Sequence, residues 1–415
     1  MVFLNYNVFE ATPYNLGVPL STPSPRDAVI IGGSRTPFGR LLGSLSGHSA
    51  IDLGAHAIKA AMLDANLSAE TVDTVVMGQV IQAGAGQNPG REAALHAGIG
   101  RDVHGITINK VCLSGATAVI DAARMIALGD ADVVVAGGQE SMTNAPHLIP
   151  GSRAGHKYGP VTMLDATDHD ALSDQGSGVS MGVLTEQGNQ KFGLNRASQD
   201  EVAALSHQRA EAGRDVRGEE IAPVEIPQRR GEPMLFDADE GVRSNTTADS
   251  LADLRPAFAQ DGTVTAGNSS QLSDGAAALV VASRDYAEQR GHTILATVAG
   301  YGQVAGPRDS QLHSQPSNAI AAATKRSGWE TEDLDFIEIN EAFGAVVVQS
   351  LKDLDYPLER TNLYGGAIAL GHPVGASGAR LVLTASKELA RRGGGRAAIA
   401  LCGGGGQGEA ILLEL

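Results

Sequence analysis

The chain has 415 residues, 42% of them hydrophobic, enough to bury one large core or two medium ones. A net charge of −16 argues against a nucleic-acid partner and means that an anionic ligand needs a local basic patch working against the global field. Two cysteines in so long a chain make no disulfide framework and are expected as reduced thiols in a cytoplasmic protein. No membrane span is expected, since no apolar run reaches the roughly 18 residues needed. Neither a signal peptide at the N-terminus nor a peroxisomal address in Leu412-Leu413-Glu414-Leu415 is recognisable.

Residues 1–26 read as a loose N-terminal extension. Ala28-Val29-Ile30-Ile31 then reads as a buried strand ended by Gly32-Gly33, and residues 51–64 as a helix with alanines and leucines on one face. Thr74-Val75-Val76-Met77 and Ile106-Thr107-Ile108 are strands, Ala116 to Leu128 is helical, and Val133-Val134-Val135-Ala136 is another buried strand. This alternation predicts an α/β fold with parallel sheets covered on both faces. Residues 141–260 break the pattern, being richer in Asp, Arg, Ser and Pro, and read as an insertion. Within it, Ser198 followed three residues later by Glu201 predicts a capping box starting a helix that runs to Ala212. The core pattern resumes at Gly275-Ala276-Ala277-Ala278-Leu279-Val280-Val281.

A weak internal repeat is present. Asp73–Gly78 resembles Asp335–Asn340, and Gly115-Ala116-Thr117 followed by a helix and the strand 132–138 resembles Gly378-Ala379-Arg380 followed by a helix and the strand 396–404. Two similar α/β halves are therefore expected to pack together, with function where their strand ends and helix starts meet.

Four places carry chemistry there. Cys112, in Asn109-Lys110-Val111-Cys112-Leu113-Ser114-Gly115, lies between a strand and a helix start, where a thiol is activated and an oxyanion held; the alternative is an inert core cysteine. Cys402 is followed by four glycines, which let a ligand approach backbone N–H groups; the alternative is a strand end before a loose turn. His372, in the glycine-rich run Gly371-His372-Pro373-Val374-Gly375-Ala376-Ser377-Gly378, can reach a ligand or be structural. Asn340-Glu341 ends a strand, at a site position or as a helix cap. The glycines at 403, 405 and 408 fit a dinucleotide pattern, but only seven residues follow, too few for the helix and acidic residue it needs. The acidic run Asp165–Asp170 reads as a solvated loop, no cysteine or histidine pair has zinc spacing, and no metal site is expected.

Together, Asn109–Gly115, Asn340-Glu341-Ala342-Phe343, Gly365–Gly378 and Cys402-Gly403-Gly404-Gly405 resemble, in order and spacing, the four signature blocks of the thiolases, with resemblance from about Asp27 to Leu415. The resemblance implies a five-layered αβαβα arrangement of two βαβαβαββ halves with a loop domain inserted in the first. On this chain that places the first half at 27–285, the loop domain at about 141–260 and the second half at 286–415. It implies that Cys112 carries the acyl group, that His372 takes the thiol proton, and that Cys402 moves the α-carbon proton. One oxyanion hole would use His372 and a water held by Asn340, the other the N–H groups of Cys112 and Gly404. Coenzyme A would meet Arg243 and Ser250 at its nucleotide end, with Leu172, Met181, Ala266, Ser270 and Phe343 along the pantetheine arm. Coenzyme A and acyl-CoA are then substrates, no further cofactor is implied, and the assembly is a homodimer or homotetramer.

The chain departs from the usual pattern at Ser180, where His is common, at Gly176-Ser177-Gly178-Val179, where aromatics are common, and at Gly403, where Ile is common. The leading expectation is reversible condensation of two acetyl-CoA to acetoacetyl-CoA and CoA. The competitors are a degradative 3-ketoacyl-CoA thiolase of broader chain length, a decarboxylating ketoacyl synthase, against which Cys402 speaks, and a non-enzymatic protein binding acyl-CoA or lipid.

Overall fold

The strands read from apolar runs all form, and most extend beyond those runs. The computed structural model describes residues 23–306 and 312–415, so most of the expected N-terminal extension lies outside the described residues. Within it, Arg26 is docked: its guanidinium donates to Ile126 O and Ala131 O and meets Asp132.

In chain order the elements that position the site are β1 (Ala28–Arg35), α1 (Ala50–Asp64), β2 (Thr74–Gly78), α2 (Pro89–His96), β3 (His104–Ile108), α3 (Ser114–Leu128) and β4 (Val133–Ser141). The insertion carries α4 (Met181–Phe192) and α5 (Arg196–Ala212), and the core resumes with β5 (Ser273–Ser283). The second half holds β6 (Ala296–Ala305), α6 (Gln315–Ser327), β7 (Phe336–Ile339), α7 (Gly344–Leu354), α8 (Ser377–Arg392), β8 (Arg396–Gly403) and β9 (Gln407–Glu414).

Two local readings change. β1 does not stop at Gly32-Gly33 but runs through them to Arg35, with a bulge between Ile30 and Gly32. α5 starts two residues earlier than the Ser198 pattern predicts, because Asn195 Oδ1 accepts from Ser198 N and so caps it, while Ser198 Oγ turns back to Asn195 O.

The expectation of parallel sheets is also corrected. The strand order is β7-β8-β9-β6-β1-β5-β4-β2-β3, with the two-residue strand Gly39–Arg40 beside β5. Only β7–β8, β2–β3 and β2–β4 pair in parallel; the other pairs are antiparallel. The hairpin from β8 to β9, closed by Gly404-Gly405-Gly406, shows why: so short a link can only return the chain antiparallel.

The path narrows at β1–β6, which share just two partner pairs, Val29 with Thr297 and Ile30 with Ala296. Here the sheet divides into two half-sheets, and three buried clusters separate the layers. Leu53 and Ile58 of α1 pack with Val29, Val75, Val135 and Val280 outside the first half-sheet. Ile320 of α6 and Val347 of α7 pack with Ile337, Ala398 and Leu412 outside the second. Between them, Val119 and Ile120 of α3 and Leu381 and Leu383 of α8 pack with residues of both half-sheets. Helix, sheet, helix, sheet, helix make five layers. Although Val111–Leu128 is long and apolar enough by composition to cross a membrane, α3 is a helix of this central layer.

The repeat read from the sequence is visible in hydrogen bonds. Asp73 Oδ2 accepts from Val133 N at 2.9 Å, and Asp335 Oδ2 accepts from Arg396 N at 2.8 Å, so each aspartate latches its strand to the start of the strand beside it. At the centre, a Cβ on Gly115 of α3 would lie 2.8 Å from Ala379 N, and one on Gly378 of α8 would lie 2.4 Å from Ala116 N. The two glycines let the equivalent helices of the two halves touch backbone to backbone.

Candidate active site

Cys112 is held by a tight turn between β3 and α3. Asn109 Oδ1 accepts from Val111 N, while Ser114 Oγ accepts from Lys110 N at 2.8 Å and donates to Val111 O at 2.6 Å. Val111 sits at φ 52°, a left-handed conformation that costs a β-branched residue about 1–3 kcal/mol and tends to mark functional turns. The Cys112 side chain is partly buried, and its own N–H and that of Gly404 point at the sulfur. Burial still pushes the thiol up to about 11, with the Glu140 carboxylate adding to the rise.

Cys402 lies at the end of β8, paired with Gly408 of β9, and is 1% exposed. Burial, then the nearby Cys112, pushes its thiol up further. Both thiols are free. The departure at Gly403 has a physical partner: a Cβ there would come 2.7 Å from Leu113 Cγ, because Leu113 fills that space.

His372 enters from the loop before α8 and is buried. Its N–H donates to Ser273 Oγ at 3.1 Å, and Gly371, at φ 112°, makes the turn that brings it there. Ser377 Oγ donates to Pro373 O at 3.0 Å and lies 2.6 Å from His372 Nδ1. With its proton spent on the carbonyl, the hydroxyl accepts from Nδ1–H, which leaves Nε2 as the basic nitrogen. Asn340 Nδ2 lies 3.4 Å from that nitrogen, and Asn340 Oδ1 is buried without a protein partner among the described residues. Burial, then the charge of Arg380, pushes His372 down to about 4.

Glu341, next to Asn340, does not join the site. It is buried and accepts from Ser206 Oγ, Asn362 Nδ2 and Ile368 N, holding the chain that leads to His372.

These groups meet at a cavity of about 230 Å³. Of the residues singled out from the sequence, Cys112, His372, Cys402, Gly404, Leu172, Met181, Ser270 and Phe343 line it. Asn340 stands behind His372 rather than in the wall. Arg243, Ser250 and Ala266 are not in the wall either; all three are exposed on the inserted region and the segment after it. Ser250 caps a short helix with Thr247. Ser180 lines the cavity and caps α4 by accepting from Val183 N, whereas Gly176 borders a neighbouring cleft.

Sequence reasoning missed several supports. Glu140 is fully buried and accepts from Val80 N, Ile81 N and Gly375 N, so one carboxylate fixes the loop after β2, β4 and the His372 loop together. Ser377, within the same glycine-rich run as His372, is a further support. Phe258 packs edge-on against Phe343, with centroids 6.4 Å apart, in space that Gly182 leaves open. No spacing rule links Glu140 or Phe258 to the four blocks; the helical i, i+4 offset of Ser377 Oγ to Pro373 O was the one usable signal.

A thiol beside paired N–H donors, a neutral imidazole and a second thiol, set at strand ends of a five-layered fold, characterise an enzyme of acyl transfer through a cysteine thioester. The chain belongs to the thiolase family: the thiolase N-terminal domain matches residues 28–285 and the thiolase C-terminal domain residues 292–415. It is 54% identical over 388 residues to a probable acetyl-CoA acetyltransferase of Mycolicibacterium smegmatis, covering 93% of this chain and 100% of that protein. It is 45% identical to an acetyl-CoA acetyltransferase of Cupriavidus necator, over 94% of this chain and 99% of that one. Human mitochondrial 3-ketoacyl-CoA thiolase superposes with a TM-score of 0.89 at 36% identity, over 94% of this chain and 99% of that one.

Proposed function

We propose that the protein is an acetyl-CoA acetyltransferase that joins two acetyl-CoA into acetoacetyl-CoA and CoA, and reverses this by thiolysis, through an acyl-Cys112 intermediate. The convergence of Cys112, His372, Cys402 and the Gly404 N–H on one cavity carries this reading. The relatives named acetyl-CoA acetyltransferase support the acetyl substrate.

At rest the buried pair is a thiol and a neutral imidazole, so proton transfer belongs to the attack itself. As Cys112 Sγ bonds to the thioester carbon, its proton passes to His372 Nε2, and the departing CoA sulfur takes the proton of Cys402. Cys402, now a thiolate and a strong base because burial raises its pKa, removes the α-proton of the second acetyl-CoA and is a thiol again. The enolate oxygen is stabilised by the His372 imidazolium and the water held by Asn340. The enolate carbon attacks acetyl-Cys112, the N–H groups of Cys112 and Gly404 hold the tetrahedral oxyanion, and collapse expels the Cys112 thiolate, which recovers its proton from His372. Atoms and charge balance with two thiols, an imidazole and thioesters alone, so the chemistry calls for no resident cofactor.

Arg243 and Ser250, exposed on the inserted region, suit the anionic nucleotide end of coenzyme A, and Leu172, Met181, Ala266, Ser270 and Phe343 its pantetheine arm. We divide the chain into an N-terminal extension at 1–26, a first half at 27–285 with its loop domain at about 141–260, and a second half at 286–415. A homodimer or homotetramer in the cytoplasm, where both thiols stay reduced, completes the reading.

The test is thiolysis of acetoacetyl-, 3-ketohexanoyl-, 3-ketodecanoyl- and 3-ketohexadecanoyl-CoA, with Cys112→Ala as the blank. A steep preference for acetoacetyl-CoA is expected. Equal or better rates on long chains would move the protein to a degradative 3-ketoacyl-CoA thiolase, the activity named for the superposed human enzyme. No turnover on any of them rejects both.

A further inference from the structure

The two thiols come from different halves of the molecule, and something must set one against the other. Lys110, two residues before Cys112, places its Nζ 2.6 Å from Glu409 Oε1. Glu409 belongs to β9 and follows Gly408, the partner of Cys402 across the hairpin. Its carboxylate is fully buried, and it also accepts from Thr117 Oγ1 at 2.7 Å and from Gln303 Nε2. One ion pair therefore ties the turn that carries the first thiol to the hairpin that carries the second. Apolar contacts also cross this seam: Leu113 lies over Gly403 and Val111 over Gly404. Apolar contact is non-directional and lets surfaces slide, whereas a hydrogen-bonded ion pair fixes distance and angle. The anchor also acts immediately before Val111, the strained residue of the turn.

We infer that Lys110 and Glu409 are positioning residues that hold Cys112 in register with the Gly404 N–H and Cys402, a role that rests on the acyl-transfer reading above. Neither lines the cavity. Their removal lets the nucleophile turn drift from its oxyanion donor, and a displacement of about 1 Å at a reacting centre costs about 100-fold in rate.

The experiment uses Lys110→Met, Glu409→Gln and the double variant, after wild-type thiolysis has been measured. Absence of wild-type turnover would reject the acyl-transfer reading, while alkylation of Cys112 by iodoacetamide still reads the register of the turn. Each single variant is expected to lose about 10- to 100-fold in kcat with KM nearly unchanged. Alkylation should change in both singles alike, the loss of kcat should persist at assay temperatures well below each variant's melting temperature, and the double variant should fall no further than the worse single. Lys110→Arg, which keeps the charge and the reach, should retain most of the activity. Wild-type kcat in the singles, losses that multiply in the double, losses that appear only near the melting temperature, or a Lys110→Arg as poor as Lys110→Met would each overturn the assignment.

Discussion

His372 illustrates how a neighbour sets a residue's chemistry. Ser377 fixes its tautomer, and burial with the Arg380 charge keeps it neutral, with a value lowered to about 4. Arg380 is itself held by Glu338 at 3.3 Å, so that charge stays in place. In the proposed mechanism the active form is the neutral imidazole, and a lowered pKa preserves it as pH falls. Acylation of Cys112, followed from pH 8 downward, should therefore keep its rate through the ordinary histidine range and lose it only towards about 4. An acid limb centred near 6.5 would contradict this. Ser377→Ala removes the hydroxyl that accepts from Nδ1–H and should cost kcat about 10- to 100-fold at a nearly unchanged melting temperature, by analogy with the partners that orient metal-bound histidines. Full activity in that variant would mean the tautomer is set elsewhere.

At the scale of elements, the site depends on two helices meeting without side chains. α3 starts just after Cys112, and α8 starts just after the His372 loop. Their contact at Gly115 and Gly378 thus sets the separation of Cys112 and His372. Gly378→Ala would push a methyl group to 2.4 Å from Ala116 N, a backbone atom that cannot step aside. We expect destabilisation of about 1–3 kcal/mol by urea unfolding, as for other overpacked cores, accompanied by a loss of kcat. Gly218→Ala is the control: its Cβ meets nothing within 4 Å, and its effect should stay within about 0.5 kcal/mol. Similar stabilities in the two variants would remove the close-contact argument.

For the whole molecule, buried histidines couple folding to pH. His313 is fully buried, its Nε2 is 2.8 Å from Asn189 Oδ1 of α4, and it joins the inserted region to the segment before α6. Burial pushes it from 6.5 down to about 4. Between those values the unfolded chain takes up a proton that the folded chain refuses. This contribution to stability is therefore complete above about 6.5 and is lost as pH falls towards about 4. At pH 5 the loss is about 2 kcal/mol from this residue. Unfolding free energies of wild type and His313→Gln at pH 7 and pH 5 isolate it: wild type should lose about 2 kcal/mol more than the variant on acidification. Equal losses would show that His313 takes up its proton alike in both states.

The sequence by itself determined the elements, the repeat and the kinds of chemistry present. Buried strands announce themselves as apolar runs, and a cysteine before a helix or glycines after a strand are local signals, so Cys112, Cys402, His372 and Gly404 were readable where they stand. Tertiary structure decided direction, convergence and support. Strand direction is settled by which strands meet, and no apolar run carries that. The start of α5 turned on whether Asn195 or Ser198 found a free N–H. Asn340 and Glu341 are neighbours with the same local signal, yet one faces His372 and the other the chain behind it, because a strand end sends successive side chains to opposite sides. Glu140 and Ser377 hold the His372 loop, and Glu409 holds the turn of Cys112, through contacts that join distant or functionally unmarked positions. The Glu140 and Glu409 contacts exist only once the two halves have packed, which is why those residues stayed silent in the sequence, whereas the Ser377 contact is local and its one trace was the offset from Pro373.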